Sequence, residues 1–348
     1  MALPHKLGRR LLLGLLAGVA VYAGIAIWAD GRKVAETLLA LPLWVLPAAC
    51  ALSFLNYVIR FVKWQRYCKL LDIQLETGTS FLIYLSGMTL SVTPGKMGEV
   101  FKSWLVRQVT GKRIHHSAPI VVAERFTDLL GYLILVAIGG LNTAPEYAWV
   151  FWSMLAVCGV ALALVGSSGF ARFMVAAVGR APVVSRLAPR VEGAFQSTRI
   201  LLAPREILMP TVVSVLGWAC ECTGFWLIAN QVVPDSVPYL YAVFAFAFSA
   251  VAGAVAIIAP GGLLITEGLL GSLLRPKYQP YAETVLGLVG DAAREAARGK
   301  AAAATILARL CTLWFAVGVG FVATALFSRR YGQVQEAPDE PASGASGP

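Results

Sequence analysis

Charged residues are scarce in this sequence, since Asp, Glu, Lys and Arg together make up only 14% of its 348 residues. Soluble domains carry about 25% charged and about 45–50% apolar residues, whereas 58% of this chain is hydrophobic. That composition excludes a soluble enzyme, a disordered chain and a disulfide-framed secreted protein. A helix needs about 20 apolar residues to cross a bilayer, so the chain has room for several spans. The sequence predicts an all-α polytopic membrane protein.

Histidine and cysteine are also few, and their positions exclude several kinds of site. His5, His115 and His116 all lie in basic polar stretches, which argues against haem ligation and a histidine-based catalytic triad in the membrane. The cysteines lie mostly in apolar runs, and Cys220 and Cys222 are too close for a CxxC redox pair. Neither HExxH nor the GxxxxGK[ST] phosphate loop occurs. We therefore expect no metal, no cofactor and no enzymatic activity.

Apolar runs and basic residues together predict the topology. The net charge is +10, and the Lys and Arg residues collect in short loops, where they would meet anionic lipid headgroups. No nucleic-acid partner is therefore expected. Arginines concentrate in residues 168–206 and at Arg329-Arg330, so these segments and the N-terminus are predicted to be cytoplasmic, in a cytoplasmic (inner) membrane. The predicted full spans are six: residues 11–28, 44–61, 118–140, 149–165, 208–232 and about 302–327.

The spans form one transmembrane domain over residues 1–330. Its first half covers about 43–165, an amphipathic cytoplasmic linker covers 168–206, and its second half covers about 207–328. Residues 331–348 are rich in Pro, Gly, Ser and acids, so this tail is predicted to be disordered.

Two further apolar stretches, residues 80–110 and 239–274, are interrupted by Pro-Gly. Proline and glycine end helices, and broken backbone at membrane depth is tolerated only where protein or a wet cavity satisfies it. Each stretch is therefore predicted to be a re-entrant helical hairpin. The loop at 275–300 contains five basic residues although this topology places it outside, so a second hairpin that fully crosses stays an alternative.

The two broken stretches indicate an internal repeat. In the first half, Pro94-Gly95 is followed by Glu99 and then by a span with Arg125. In the second half, the same order recurs as Pro260-Gly261, Glu267 and Arg309, with an insertion predicted within residues 278–300. Hairpins entering from opposite faces would form the inverted repeat of secondary transporters, with a central site built from broken helices.

Several ionisable residues lie within or beside apolar runs, where each costs about 2.5–3.5 kcal/mol unless it faces a partner or a wet cavity. Glu124 and Asp128 share a helix face, and Arg125 precedes Asp128 by three residues, so those two can pair. A local bridge between them that only joins helices is an equal alternative to a functional site. Glu221 has no surrounding motif and has the weakest functional case.

The hairpin tips predict an anion site. A half-helix that begins after Pro-Gly directs unpaired N–H groups and a positive dipole end into the protein, and Lys96 and Lys102 add positive charge beside the first tip. Such a tip could receive a phosphate. Glu99 and Glu267 would hold the arginines when the site is empty, or take up protons. The alternative is that Lys96 and Lys102 only extend their ammonium groups to the membrane–water interface.

These motifs, in their order, resemble the flippase-like transmembrane domain of lysylphosphatidylglycerol synthases, which is also found as stand-alone membrane proteins. The resemblance covers about residues 43–327 and includes Lys63-Trp64 and the 123–128 segment. It departs at Leu264, where the family pattern usually has glycine, and at Lys102, where it often has arginine. The soluble aminoacyl-transferase domain of the synthases has no counterpart, so the resemblance does not imply lipid synthesis. Motifs and resemblance together give the following headgroup-binding residues: Arg60, Lys63, Pro94, Gly95, Lys96, Gly98, Glu99, Lys102, Glu124, Arg125, Asp128, Pro260, Gly261, Gly262, Glu267 and Arg309.

The leading hypothesis is a translocase that moves an anionic phospholipid or polyprenyl-phosphate lipid by alternating access between the two halves. A membrane enzyme that modifies a lipid, with Glu99, Glu124 or Asp128 as acid or base, is the second hypothesis. A non-transporting partner of a separate lipid-synthesising enzyme is the third. The lipid bilayer and its lipid are the expected partners, and the sequence leaves the oligomeric state open.

Overall fold

The computed structural model describes residues 24, 32, 36–37, 39–92, 98–141, 143–167, 188–255 and 262–332. Within these ranges the regular structure is entirely helical, with no strand, which confirms an all-α protein. Among the described residues, four helical stretches are long and apolar enough to cross a membrane, namely Val45–Leu70, Pro145–Leu164, Pro204–Val232 and Asp291–Tyr331. Apart from Gly24, the predicted first span at 11–28 lies outside the described residues, as does the tail from residue 333.

The first half contains two long helices on either side of a pair of short ones. The short helices, with 10 and 13 residues, are less than the roughly 20 residues that a crossing requires. A broken stretch was predicted here, and its Pro94-Gly95 motif lies outside the described residues. The elements are α1 (Val45–Leu70), α2 (Thr77–Ser86) with a 3₁₀ turn at Gly87–Leu90, α3 (Gly98–Thr110), α4 (Ile114–Gly140) and α5 (Ala148–Gly166).

The second half repeats this order with longer elements. Helix α6 (Ala188–Leu201) precedes it in the predicted linker. Its own helices are α7 (Pro204–Val232), α8 (Tyr239–Val255), α9 (Ile265–Thr284), α10 (Asp291–Arg309) and α11 (Phe315–Tyr331), with a π-helical turn at Leu310–Trp314. The second break falls between α8 and α9, where Pro260 and Gly261 lie outside the described residues.

The segment predicted to be a loop, residues 275–300, is mostly helical. Helix α9 continues through Pro276 and Pro280, and α10 begins at Asp291, well before the predicted start near residue 302. The α10 face that carries Ala293 and Ala297 is buried, and α10 packs along α9, so the insertion is an extension of two packed helices. The predicted linker is likewise partly helical, since it contains α6.

Helix packing follows matched pairs. Helix α1 lies along α7, α4 packs against α8, and α11 packs against α2. Helix α3 contacts α4, as α9 contacts α10. In the repeat, α1 corresponds to α7, α2 to α8, α3 to α9, and α4 to α10–α11. With the halves exchanged, the contact of α4 with α8 then corresponds to that of α11 with α2, and the contact of α3 with α4 corresponds to that of α9 with α10. This pattern supports an internal repeat in which the two halves pack against each other.

Glycines allow the exchanged pairs to approach closely. A Cβ on Gly139 of α4 would lie 2.5 Å from the carbonyl oxygen of Leu240 and 2.7 Å from the nitrogen of Phe244 on α8. In the matching pair, a Cβ on Gly320 of α11 would lie 2.8 Å from the Cα of Thr89 in the 3₁₀ turn. Small residues commonly permit such contacts between membrane helices.

Leu264 adopts a backbone conformation that suits glycine. Its φ is 73° and its ψ is −46°, at the residue that precedes α9. An L-residue with a Cβ is strained in this region, which glycine enters freely. The departure from the family's usual glycine is therefore accommodated by a strained leucine rather than by a different path of the chain.

Replacing this leucine by glycine is expected to stabilise the fold. Relief of the strain is worth about 1–2 kcal/mol, and the exposed Leu264 side chain, with 63% of its surface accessible, loses little packing. The flexibility that glycine adds to the unfolded chain opposes this gain by about 0.4–1 kcal/mol. A rise in melting temperature of the detergent-purified Leu264→Gly variant checks the net gain. A matched change at helical Leu310, which is half exposed, should lower the melting temperature; a similar fall for both variants would contradict the strain.

Candidate functional site

A cavity of about 260 Å³ lies between the two halves. Its wall takes residues from α1, α2, α3 and α4 of the first half and from α7, α8, α9 and the α10–α11 region of the second. Most of the intramembrane charges predicted from sequence meet on it. The titratable side chains of its wall are Tyr57, Arg60, Tyr84, Lys102, Glu124, Arg125, Asp128, Tyr132, Glu221 and Arg309.

Asp128 forms the centre of a buried ion cluster between α1, α4 and α7. It pairs with the Arg60 guanidinium, and its Oδ1 lies 2.5 Å from Lys63 Nζ. Ser214 Oγ and Trp218 Nε1 also donate to Oδ1, at 3.0 Å and 3.2 Å. Four donors therefore hold this carboxylate, which fixes the crossing of three helices. Sequence spacing had offered Arg125 as its partner and did not indicate these four contacts, although Arg60 and Lys63 were predicted as site residues.

Lys63 and Arg60 have different positions in that cluster. Lys63 is fully buried, is not part of the cavity wall, and also donates to Ser214 Oγ at 2.7 Å. Arg60 lies on the wall, with its guanidinium carbon 4.2 Å from the centre of the Trp218 ring. We therefore assign Lys63 to positioning Asp128, and Arg60 to the surface that a ligand would meet.

Lys102 and Glu124 form a second buried ion pair on the wall. Lys102 Nζ also lies 4.7 Å from the centre of the Trp64 ring. Because Lys102 is only 6% exposed, the alternative that it extends to the interface does not hold. The second oxygen of Glu124, Oε1, and the Tyr84 hydroxyl have no hydrogen-bond partner among the described residues. Polar groups of this kind suit a bound ligand or water.

Arg309 and Glu267 form the corresponding pair in the second half, with Arg309 Nε 2.6 Å from Glu267 Oε1. The sequence predicted that Glu267 would hold an arginine, and the structure places it against Arg309. Here the half-helix carries the acid and the long helix carries the base, the reverse of Lys102 and Glu124. A π turn follows Arg309, and the Thr312 carbonyl in that turn accepts a hydrogen bond from the Tyr57 hydroxyl at 3.3 Å.

Arg125 and Gly262 complete the wall. Arg125 lines the cavity and is an exposed residue. Gly262 has a φ of 72°, and its Cα lies against Gly253 of α8, a close approach that a side chain would block. Gly98 begins α3. Of the remaining predicted tip residues, Pro94, Gly95, Lys96, Pro260, Gly261 and the side chain of Glu99 lie outside what the structure describes.

Comparison with known protein families decides the identity of this cavity-forming domain. Residues 15–320 match the family model described as "Lysylphosphatidylglycerol synthase TM region". The chain belongs to this family. It is a multi-pass membrane protein of a family associated with lipid handling. A search of curated proteins found no match.

Several residues in or beside the cavity wall of this family member were not predicted from sequence. Trp218, Tyr57 and Tyr84 are aromatic residues in apolar runs, where they are indistinguishable from core, and Asn56 contacts a carboxylate 165 residues away. The signal that could have found Asn56 is its amide within a predicted span, since polar groups there require partners. Among the described residues, no group of three or more His, Cys, Asp or Glu could hold a metal ion.

Proposed function

We propose that this family member is a lipid translocase that moves an anionic lipid headgroup through the cavity between its two halves. The observation that carries the proposal is a cavity wall with four basic side chains, Arg60, Lys102, Arg125 and Arg309, contributed by both halves. Guanidinium groups recognise phosphate through paired hydrogen bonds, and charges at membrane depth commonly mark substrate pathways.

The buried ion pairs suggest how the empty cavity is kept stable. Glu267 neutralises Arg309, and Glu124 neutralises Lys102. A phosphate that enters can replace a carboxylate as the partner of Arg309 or Lys102 without leaving either base unpaired. Arg125 is exposed on this wall and would meet the headgroup first.

Alternating access would use the exchanged helix pairings. The contacts of α4 with α8 and of α11 with α2 are equivalent under the repeat. One pairing could open as the other closes, as rocking of one repeat against the other does in secondary transporters. By the distribution of arginines, both termini would lie on the cytoplasmic side of the cytoplasmic membrane.

The test is headgroup sidedness in sealed proteoliposomes. Short-chain fluorescent phosphatidylglycerol is added to both leaflets, and a membrane-impermeant reductant then measures the fraction that stays protected. A second assay uses a fluorescent polyprenyl phosphate. Rapid loss of the protected fraction is expected with the protein. No movement of either lipid, in protein shown to be folded, would overturn the proposal.

Arg125→Ala is expected to slow translocation about tenfold or more, because a hydrogen bond to a charged group is worth about 1.5–3 kcal/mol and 1.4 kcal/mol is a factor of ten. Arg275→Ala, at an exposed position of α9 outside the cavity wall, is the matched control and should transport normally. Arg309 is tested in the double variant Arg309→Gln with Glu267→Gln. This variant removes the positive charge of Arg309 and also the carboxylate of Glu267, which would otherwise be buried with no counter-ion. Equal rates for the Arg125→Ala and Arg275→Ala variants would place the pathway elsewhere.

Glu124 Oε1 favours one other candidate, a membrane enzyme that uses this carboxylate as a base, since this oxygen has no hydrogen-bond partner among the described residues. An enzyme would consume its lipid in detergent, whereas a translocase changes only sidedness. Mass spectrometry of lipid incubated with the purified protein in detergent separates the two. A non-transporting subunit would show neither effect and would co-purify with a lipid-synthesising enzyme.

A further inference from the structure

Glu221 is a cavity carboxylate that has no cationic partner among the described residues. It lies on α7, lines the cavity, and is only 6% exposed. Its Oε1 accepts a hydrogen bond of 2.6 Å from the Asn56 side-chain amide. No Lys, Arg or His within the described ranges lies within 4.0 Å of its oxygens.

The other buried carboxylates at the site differ from Glu221 in this respect. Glu124, Asp128 and Glu267 each form an ion pair with a lysine or arginine. A buried charge that only a neutral amide contacts is costly, and binding a proton removes that cost. Glu221 is therefore the acid at this site best suited to change between charged and neutral forms.

The groups that face Glu221 determine when it changes form. The charged groups that interact electrostatically with Glu221 are the cations Arg60 and Arg309 and the anion Asp128. Helix α8 contributes apolar residues to the nearby wall, including Phe246 and Val251. The titratable groups around Glu221 are Tyr57 and Arg60 of α1, Asp128 and Tyr132 of α4, Cys220 and Cys222 of α7 itself, and Arg309 of α10.

We propose that Glu221 is the binding site of a proton that is carried in the same direction as the anionic headgroup. This inference rests on the proposed translocation. A phosphate that binds Arg60 or Arg309 adds negative charge beside Glu221, and a like charge disfavours the ionised form of an acid. Because coupling between two sites is reciprocal, the protonated acid also favours phosphate binding. One proton and one monoanionic headgroup together carry no net charge, which lowers the cost of crossing.

Coupling to a proton would also supply an energy source. The sequence has no GxxxxGK[ST] phosphate loop, and a proton gradient can drive transport without a nucleotide. The direction of transport follows from the gradient and does not depend on how the protein is oriented in a vesicle. The lipid should leave the more acidic side.

The test imposes a pH gradient on sealed proteoliposomes that contain fluorescent phosphatidylglycerol, with the membrane potential clamped. A difference of one pH unit is expected to support up to about tenfold accumulation in the leaflet of the less acidic side, and reversing the gradient should reverse it. Glu221→Gln should give an even distribution under either gradient. Glu206→Gln, a change in the first turn of the same helix, should behave like the unmodified protein. Accumulation that persists in Glu221→Gln, or accumulation on the acidic side, would overturn the proposal.

A second measurement separates this inference from the proposed function. Infrared difference spectra of the detergent-purified full chain report the carbonyl band of protonated carboxylic acids as the pH is changed. A titrating band that is lost in Glu221→Gln and kept in Glu206→Gln is expected. If that band is found but no lipid moves in vesicles, the proton site stands and translocation fails. If the spectra of the unmodified protein and Glu221→Gln are the same, the proton site fails whether or not lipid moves.

Discussion

Asp128→Ala is expected to destabilise the protein by about 3–5 kcal/mol, the cost of breaking a buried ion pair by removing one partner. Two cations depend on this carboxylate. Lys63 is fully buried, and Arg60 is almost so. Without Asp128, Lys63 Nζ keeps only neutral partners, among them Ser214 Oγ at 2.7 Å. Since native stabilities are about 5–15 kcal/mol, a loss of this size should be visible as lower yield and a lower melting temperature.

The control for this prediction is an aspartate with an exposed ion pair. Asp291 at the start of α10 pairs with Arg294 at 3.1 Å, and 93% of its side chain is accessible. Asp291→Ala is expected to cost about 1 kcal/mol or less, because surface pairs and interactions with helix ends are weak. Unfolding in mixed micelles with increasing denaturing detergent measures both variants. Similar losses for Asp128→Ala and Asp291→Ala would contradict the buried cluster.

A double variant tests whether charge or shape explains the loss. Lys63→Met removes one of the two orphaned cations while filling similar space. Combined with Asp128→Ala, it should cost less than the sum of the two single changes, because residues in one ion-pair network are not additive. Strict additivity would indicate that Asp128 acts through packing alone. The result matters for function because this cluster sets the position of Arg60 on the cavity wall.

The helices themselves could largely be predicted from the sequence. Apolar runs predicted α1, α5 and α7 because a membrane span must satisfy its backbone internally. The predicted loop at 275–300 is instead mostly helical, and α9 continues through Pro276 and Pro280, although proline normally ends a helix. Burial of α10 against α9 outweighs this local preference, and such tertiary packing cannot be derived from local sequence.

The residues of the site could be predicted from the sequence better than the ion pairs that they form. A charge in an apolar run must face a partner, which selected Glu124, Asp128 and Arg309 without a structure. The partner of Asp128 could not be predicted, because spacing on one helix favoured Arg125 whereas the crossing of α1 over α4 supplies Arg60 and Lys63. The pairing of Glu267 with Arg309 could be predicted, because each Pro-Gly break is followed by a glutamate and then by a span that carries an arginine. No sequence motif surrounds Glu221, and its position on the cavity wall is visible only in the structure.

The packing of α11 on the first hairpin gives the second large prediction. Gly320 of α11 lies against Thr89 of the 3₁₀ turn, and a Cβ there would meet the Thr89 backbone. The Thr89 and Thr324 hydroxyls are hydrogen-bonded at 3.1 Å across the same contact. Backbone atoms cannot move aside as a flexible side chain can, so Gly320→Ala must separate the turn from α11. Overpacking of this kind costs about 1–3 kcal/mol.

Gly318→Ala on the same helix is the matched control, because a Cβ at Gly318 would have no atom within 4 Å. Alanine favours a helix over glycine by about 0.5–1 kcal/mol, so the two variants should change stability in opposite directions. Met88 and Leu90 of the turn line the cavity, as does Ala316 of α11, so Gly320→Ala should also slow lipid movement. Melting temperatures and the sidedness assay measure both effects. If both alanines raise stability, the turn and α11 do not pack as described, and the cavity loses the wall that they build.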